Sequence, residues 1–120
     1  MFGFLGRGGS APGLLTDEAV RMVAEGTLTL IDVREHGEVQ MTGKAKGAIH
    51  IPLMMVPLHA DPRNPDCMEG LSTGKPIAVY CASGARSQSA MQVLHRLGYE
   101  TIHNLGGLHD WVAAGGSVTR

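Results

Sequence analysis

Short apolar runs alternate along this chain with longer segments that have the apolar spacing of an amphipathic helix. The runs are Thr27 to Val33, Gly47 to Pro52, Ile77 to Tyr80 and Tyr99 to Asn104. Their β-branched and aliphatic residues are typical of buried strands. Strands that alternate with helices pair in parallel, because each helix carries the chain back to the starting edge of the sheet. The pattern therefore predicts an α/β fold with a mainly parallel sheet and helices on both faces.

Glycines and polar residues mark the ends of the predicted helices. Thr16 is placed to cap the first helix, with Asp17 and Glu18 in its first turn. Gly26 then ends this helix. The other helical segments are Glu35 to Lys46 (helix or loop), Leu53 to Leu58, Ser87 to Leu97, and a last one between Gly106-Gly107 and Gly115-Gly116.

The composition fits one compact domain and excludes several classes of partner. The chain has 120 residues, 43% of them hydrophobic, and a net charge of -1. This balance offers no electrostatic attraction to nucleic acid or to an anionic membrane, and no window has the apolar length of a membrane span. Residues 1–13 are glycine-rich and are predicted to form a flexible arm, and residues 14–120 are predicted to form the domain. No export signal is recognisable, so we expect a cytoplasmic protein with reduced thiols.

The segment that most clearly indicates a reactive site consists of a strand, a cysteine, a short loop and a helix. Cys81 follows the run Ile77 to Tyr80, at the strand end where α/β sheets bind their ligands. Gly84 lets the loop turn so that backbone N–H groups face inward, beside the positive end of the helix predicted to begin at Ser87. These groups, together with Arg86, favour a thiolate over a thiol. We therefore interpret Cys81 as a nucleophile, against the alternative of a small buried core residue.

Four segments resemble those of single-domain rhodaneses, in the order in which that family has them. They are LIDVRE (Leu30 to Glu35), KGAIHIP (Lys46 to Pro52), YCASGARSQSA (Tyr80 to Ala90) and NLGGLHDWVAAG (Asn104 to Gly115). The resemblance extends from about Leu15 to Gly116, and the set of four is specific where one segment alone is not. It implies a three-layer α/β/α sandwich around a parallel sheet of about five strands.

The resemblance also implies a sulfurtransferase. A donor such as thiosulfate or a persulfide would pass its outer sulfur to Cys81, and a thiol or cyanide acceptor would remove that sulfur from the Cys81 persulfide. The implied substrate cradle consists of Ala82, Ser83, Gly84, Ala85 and Arg86. Arg34 would help to receive an anionic substrate near the site. A sulfur-relay protein is a further candidate partner, and neither nucleic acid, a membrane nor a cofactor is expected.

Two places depart from the family pattern. Gly43-Lys44-Ala45 stands where many members have Gly-His-Ile, and this difference is expected to be structural. The best-known thiosulfate-using members have a basic residue two positions after the cysteine, where this chain has Ser83. The loss of that charge weakens the attraction to a doubly charged donor. It shifts the expectation from thiosulfate toward a relay that takes sulfur from the persulfide of a partner protein.

Each charged or hydroxyl side chain near the loop also has a structural interpretation. Arg86 either binds substrate or pairs with Asp32 or Glu38, and we favour the ion pair, because buried loop arginines need a carboxylate partner. For Arg34 the sequence does not distinguish between substrate binding and a structural ion pair. Asp32 is expected to orient its neighbours, since no step needs a carboxylate base. Ser87 either donates to the sulfur or caps the helix, and the cap is the favoured role.

The other chemically active side chains are expected to be structural. Cys67 lies in a polar, proline-rich stretch and is interpreted as an incidental loop cysteine, the alternative being that it resolves an oxidised Cys81 or accepts its sulfur. The six histidines lack the spacing of a zinc site, so no metal is expected. Trp111 is predicted to pack in the core.

Two other classes of function compete with sulfur transfer. A cysteine-dependent phosphatase or arsenate reductase shares the strand, cysteine, loop and helix, but has its arginine at the position that Ser87 occupies here. The shorter loop of this chain is better matched to a sulfur atom than to a phosphate. A non-catalytic binding module of the same fold is the second alternative, and its biological role would survive Cys81→Ser.

Overall fold

A computed structural model describes residues 14–120, which alternate between helices and strands. The helices are α1 (Thr16–Glu25), α2 (His36–Thr42), α3 (Val56–His59), α4 (Ala85–Arg96) and α5 (Leu108–Ala113), with a 3₁₀ turn at Leu53–Met55 before α3. The strands are β1 (Thr29–Asp32), β2 (Lys44–Ala45), β3 (Ile49–His50), β4 (Ile77–Cys81), β5 (Ile102–Gly107) and β6 (Val118–Thr119). The arm predicted for residues 1–13 lies outside the described residues. Within residues 14–120, no helix is long and apolar enough to cross a lipid bilayer.

The central sheet is parallel and has the strand order β3-β1-β4-β5. Strand β1 lies between β3 and β4, with Ile31 beside Ile49 on one side and beside Val79 on the other. The α/β class and the parallel sheet that the sequence predicted are thus confirmed. This sheet has four strands where about five were expected. The difference arises because the chain leaves β5 through α5, and β6 then pairs with β2 in a separate antiparallel ribbon.

Side-chain alternation along β1 and β4 divides the core between the two faces of the sheet. The odd-numbered apolar residues of these strands, Cys81 among them, pack in one cluster under α3 and α4. The even-numbered apolar residues, Tyr80 among them, pack in the other cluster under α1 and α5. Trp111 lies in this second cluster, as predicted, and is 2% exposed. Helices therefore cover both faces and produce the three layers.

The cap predicted for α1 is wrong by one residue. Thr16 is the first residue of the helix, and Leu15 occupies the cap position. The Glu18 carboxylate accepts a hydrogen bond from the Leu15 N–H at 3.1 Å. The Asp17 carboxylate accepts from the Glu18 N–H of the first turn at 3.0 Å. Acidic side chains thus serve the helix start where a threonine hydroxyl was expected to act.

Two further boundaries differ from the prediction. Helix α4 begins at Ala85, before the predicted Ser87, because Gly84 adopts a φ of 105° and turns the chain directly into the helix. Ser87 is therefore a residue of the first helical turn and not its cap. Strand β5 begins at Ile102 and not at Tyr99, whose buried hydroxyl donates to the carbonyl of the residue after α3 at 2.6 Å.

A buried ion pair lies at the end of β1, on the Tyr80 face of the sheet. Arg34 and Asp32 are 3% and 0% exposed, and Nη2 of the guanidinium lies 2.8 Å from a carboxylate oxygen. The same guanidinium donates to Thr42 Oγ1 and to the Gly43 carbonyl, and it lies 5.6 Å from the centre of the Tyr80 ring. The Tyr80 hydroxyl donates to Asp32 at 2.6 Å and accepts from a backbone N–H of β2 at 2.8 Å. The cluster therefore connects β1, β4, α2 and β2.

Removal of one partner of this ion pair should be more damaging than removal of both. Arg34→Met leaves the Asp32 carboxylate buried without its cation, so we expect a loss of about 3–5 kcal/mol in the free energy of unfolding. The double variant Arg34→Met/Asp32→Asn carries no uncompensated charge and should recover part of that loss. Urea unfolding followed by circular dichroism measures both values. A single variant as stable as the double would show that the pair does not hold this region together.

Candidate active site

Cys81 is the last residue of β4, a strand in which every residue is buried. It lies at the carboxyl edge of the parallel sheet, where residues Ala82 to Gly84 lead into α4. The φ of 105° at Gly84 belongs to the left-handed region, which favours glycine, and it directs the start of α4 back toward β4. The cysteine therefore lies at the amino end of α4, where the helix carries its positive partial charge.

The Cys81 sulfur is surrounded by hydrogen-bond donors. The Gly84 N–H donates to it at 2.9 Å, and the Ser87 hydroxyl oxygen lies 3.5 Å away. The backbone N–H groups of Ser83 and Ser87 also donate toward the sulfur. Cys81 itself is 0% exposed, beneath a loop in which Ala82 and Ser83 are exposed. The loop thus aims its N–H groups inward, at the cysteine.

These donors change the ionisation of the cysteine. Burial is the largest single influence and raises the pKa of Cys81, because a thiolate is poorly solvated inside a protein. The Ser87 hydroxyl and the backbone N–H groups of Ser87, Ser83 and Gly84 oppose burial, and together they lower the pKa to about 7. The thiolate of Cys81 is therefore accessible near neutral pH.

Asn104 of β5 completes the loop, and it is a residue that the sequence analysis did not single out. Its side-chain N–H donates to the Gly84 carbonyl at 3.0 Å, and its side-chain oxygen lies 2.7 Å from the Ser87 hydroxyl. The same oxygen accepts from the Gly106 N–H at 2.9 Å. The Ser87 hydroxyl has one proton, which it donates either to the Gly84 carbonyl or the Asn104 side-chain oxygen, or to the Cys81 sulfur. Ionisation of the cysteine favours the hydrogen bond to the sulfur. The one sequence signal for Asn104 is its position at the end of the predicted strand Tyr99 to Asn104, two residues before a pair of glycines.

The last two residues of β5, Gly106 and Gly107, pack closely on the Cys81 loop. Gly107 pairs with Cys81 across the sheet, and a Cβ at Gly107 would lie 2.2 Å from the Ala82 carbonyl oxygen. A Cβ at Gly84 would lie 3.4 Å from the Cα of Gly106. The φ of Gly107 is −119°, a value that any residue can adopt. A glycine is required there because the Ala82 backbone lies so close. Two backbone segments that are distant in sequence therefore share the space around the cysteine.

Arg86 forms an ion pair with α2. Its two terminal nitrogens donate to the two carboxylate oxygens of Glu38 at 2.6 and 2.8 Å. The Arg86 side chain, with the Glu35 backbone N–H, lowers the pKa of Glu38 to about 2, and the carboxylate in turn raises the pKa of Arg86. Of the two carboxylates that the sequence offered as partners, Glu38 is the one that pairs, and Asp32 is not.

The structure does not bring Arg34 and Asp32 to the cysteine. Both lie on the Tyr80 face of the sheet, and Cys81, the next residue of β4, belongs to the core of the opposite face. Arg34 is buried, and its donors are engaged by Asp32 and α2 as described above. The structure therefore favours the structural role of Arg34 over the expected contact with substrate. Asp32 orients Arg34 and Tyr80, and not the sulfur.

Cys67 lies apart from the Cys81 loop. Burial and then the charge of Asp61 raise the pKa of Cys67. Cys67 also interacts electrostatically with Tyr99, which precedes β5 at the edge of the sheet opposite to Cys81, and both cysteines are free thiols. The rings of His36 and His50 stack with their centroids 6.2 Å apart. Among residues 14–120, no group of three or more His, Cys, Asp or Glu side chains is placed to bind a metal ion.

Comparison with known proteins identifies the family. Residues 15–114 match the family model of the rhodanese-like domain. The chain belongs to the rhodanese-like family. This rhodanese-like protein is 30% identical over 87 residues to a sulfurtransferase of Allochromatium vinosum, an alignment that covers 72% of the chain and 73% of that relative. It is 35% identical over 80 residues to the thiosulfate sulfurtransferase PspE of Escherichia coli strain K12, which covers 67% of the chain and 70% of PspE.

The fold of this rhodanese-like protein also has solved counterparts. The structure of the human single-domain sulfurtransferase TSTD1 superposes with a TM-score of 0.73 and 26% sequence identity. The superposition covers 87% of this chain and 97% of the human protein. At the level of the family, the chain is therefore a sulfurtransferase-type protein.

The two thiols of this rhodanese-like protein should react at different pH values. The rate at which iodoacetamide alkylates Cys81 should reach half of its maximum near a pH of about 7, because the thiolate is the reactive form and the pKa has that value. The half-maximum for Cys67 should lie above the ordinary range of a thiol, since its pKa is raised. Mass spectrometry of peptides alkylated from about pH 5 to about pH 10 resolves the two profiles. Coincident profiles would contradict the electrostatics described for the loop.

An alanine at position 107 should displace the Cys81 loop of this rhodanese-like protein. Its Cβ would lie 2.2 Å from the Ala82 carbonyl oxygen, so one of the two backbones must shift. We expect Gly107→Ala to cost about 1–3 kcal/mol of unfolding free energy and to raise the pKa of Cys81, as the N–H groups move away from the sulfur.

Gly37→Ala is the matched control for this substitution. No atom lies within 4 Å of a Cβ at that position, and alanine favours the helical conformation of α2. Urea unfolding reports the stability of each variant, and the alkylation profile reports the pKa of Cys81. Unchanged values in Gly107→Ala would show that the two backbones are not closely packed.

Proposed function

We propose that this chain transfers sulfane sulfur through a persulfide on Cys81. The observation that carries the proposal is the set of donors around the sulfur, which includes the Gly84 N–H at 2.9 Å and holds the pKa of Cys81 at about 7. Such a site favours negative charge on sulfur, both before and after a sulfur atom is added. Membership of the rhodanese-like family and the relatives named sulfurtransferase support the same activity.

In the first step of the proposed reaction, the Cys81 thiolate attacks the outer sulfur of the donor. A bond forms between these two sulfur atoms, while the bond from the outer sulfur to the rest of the donor breaks. The leaving group takes the electron pair of that bond, as sulfite from thiosulfate or as a thiolate from an alkyl persulfide. The step consumes neither oxidant nor reductant, because the sulfur atom moves without a net change in electron count. The protein supplies the deprotonated nucleophile.

In the second step, an acceptor removes the outer sulfur from the persulfide anion. The N–H groups at the start of α4 stabilise that anion, because they are donors without partners in the first helical turn. A thiolate or cyanide attacks the outer sulfur, a new bond to sulfur forms, and the electron pair of the S–S bond returns to Cys81. The cysteine is thus restored as a thiolate. The first step produces the persulfide anion and the second the Cys81 thiolate, and the same N–H groups stabilise both.

The partners of the proposed reaction approach from the outer surface of the loop. Ala82, Ser83 and Ala85 are exposed there and carry no charge. We propose a small sulfur donor and a thiol or cyanide acceptor as the minimal partners, and a sulfur-relay protein as a physiological one. The one cation of the loop, Arg86, is paired with Glu38, so the outer surface offers no cluster of cations. Such a surface is compatible with a protein partner or a small donor of low charge, since neither requires such a cluster.

Incubation of the protein with a sulfane donor should add one sulfur atom, about 32 Da, to Cys81. Mass spectrometry of the intact protein measures the gain, and peptide analysis locates it. Cys67→Ser should show the same gain as the unmodified sequence, because Cys67 lies away from the loop. Cys81→Ser should show none, because a hydroxyl in its place is not ionised at neutral pH.

The negative outcome of that experiment is also informative. If folded protein gained no sulfur from either thiosulfate or 2-hydroxyethyl persulfide, the proposed transfer would be rejected. Release of phosphate from an aryl phosphate would then favour a cysteine-dependent phosphatase. A biological role that Cys81→Ser leaves intact would favour a binding module.

A further inference from the structure

We propose that Glu38 sets the donor specificity of this site, because it holds the Arg86 guanidinium in a two-point ion pair and so withholds the loop's cation from doubly charged donors. The inference rests on the proposed transfer through Cys81 and extends it to the class of substrate. It assigns singly charged donors, such as alkyl persulfides, as the preferred source of sulfur over thiosulfate. Glu38 is on this view a residue that determines specificity without contact with the reacting sulfur.

The first argument is the position of Arg86. It is the only lysine or arginine in the stretch from Cys81 to Ser87, and it lies in the first turn of α4. Its charge interacts electrostatically with the Cys81 thiolate, so it belongs to the surroundings of the sulfur. Arg34, the other arginine that the sequence offered for substrate binding, lies on the opposite face of the sheet. An anionic donor therefore depends on Arg86 for a positive partner within this loop.

The second argument is the geometry of the ion pair. Both terminal nitrogens of Arg86 donate to Glu38, at 2.6 and 2.8 Å, in the planar two-point arrangement that guanidinium and carboxylate groups prefer. Glu38 is itself held in place, because its Oε1 also accepts the Glu35 N–H at 2.8 Å at the start of α2. A donor anion must therefore compete with a carboxylate that is already positioned.

The third argument is the balance of charge beside the loop. Glu35 also interacts electrostatically with Arg86, which therefore faces two carboxylates. Arg34 interacts with Glu38 as well, but its charge is balanced by its own ion pair with Asp32. Thiosulfate has two negative charges, an alkyl persulfide has one, and the electrostatic energy of each donor is proportional to its charge. Ser83 contributes no compensating cation. The dianion is therefore disfavoured relative to a monoanion of similar size.

The experiment compares two donors that react by the same displacement and differ in charge. Thiosulfate is a dianion, and methanethiosulfonate is a monoanion in which a methyl group replaces one oxygen. In both, Cys81 forms a bond to the outer sulfur, and sulfite or methanesulfinate leaves with the electron pair. With cyanide as acceptor, at about pH 8 where the Cys81 thiolate predominates, thiocyanate formation provides kcat/KM for each donor.

Glu38→Gln should raise kcat/KM for thiosulfate about threefold to tenfold, through a lower KM. The kcat/KM for methanethiosulfonate should rise less. The donor ratio, defined as kcat/KM for thiosulfate divided by kcat/KM for methanethiosulfonate, should therefore increase. Glutamine keeps an oxygen for the Glu35 N–H, which preserves the start of α2. The change in ratio should disappear in about 1 M salt, because screening then acts over about 3 Å. Glu38→Ala makes the same prediction and serves if the glutamine variant melts below the assay temperature.

Two control variants separate release of Arg86 from a general change in charge. Glu35→Gln removes the same charge from the same helix end but leaves the ion pair intact, so the donor ratio should change much less. Glu38→Gln/Arg86→Gln removes the released guanidinium, so the ratio should return to that of the unmodified protein. An equal effect of Glu35→Gln and Glu38→Gln, or a ratio that none of the variants changes, would overturn the assignment of specificity to Glu38.

Failure of this inference can be distinguished from failure of the proposed function. A protein that gains sulfur on Cys81 from 2-hydroxyethyl persulfide, but whose donor ratio does not respond to Glu38→Gln, retains the transfer reaction and loses only the specificity assignment. If the protein gains no sulfur from any of the three donors, both the transfer through Cys81 and the role of Glu38 are rejected.

Discussion

The convergence of backbone N–H groups on the Cys81 sulfur is the interaction on which the rest of the site depends. Burial alone would raise the pKa of this thiol, and the opposing hydrogen bonds lower it to about 7. The donors are available because the first turn of a helix leaves its N–H groups without partners inside the helix. The largest contributions to the stability of negative sulfur therefore come from the path of the backbone and from one hydroxyl. This explains how the loop stabilises a thiolate although Ser83 carries no charge and the charge of Arg86 is balanced by Glu38.

The sheet separates this chemistry from the most strongly ionic cluster of the protein. Neighbouring residues of a strand point to opposite faces, so Cys81 lies in one core and Tyr80 in the other. The buried pair of Asp32 and Arg34 bonds on the Tyr80 side and connects β1 to α2. The pair stabilises the helix that carries Glu38, without placing its own charges beside the sulfur. Ionic groups thus act on the site mainly through the position of α2.

Two contacts from distant segments complete the loop. Asn104 on β5 bonds to Gly84 and Ser87, and Glu38 on α2 bonds to Arg86. The first contact sets the geometry of the donors around the sulfur, and the second sets the charge that an incoming donor meets. The two properties are therefore controlled by different elements of the fold. A change in donor preference is possible without a change in the arrangement that activates the thiol.

The sequence by itself determined the α/β class, the strand that ends at the cysteine and the helix that follows it, whereas the pairing of Arg86 with Glu38, 48 residues away, depended on the tertiary structure. These features follow from local periodicity, from glycines that end elements and from residues close together along the chain. Only the tertiary structure decided that Arg34 lies on the far face, that Ser87 is inside α4, and that Asn104 holds the loop. It also decided that β6 pairs with β2. The physical reason is that sheet order and strand register bring distant residues together, and no local pattern of residues encodes which of them will meet.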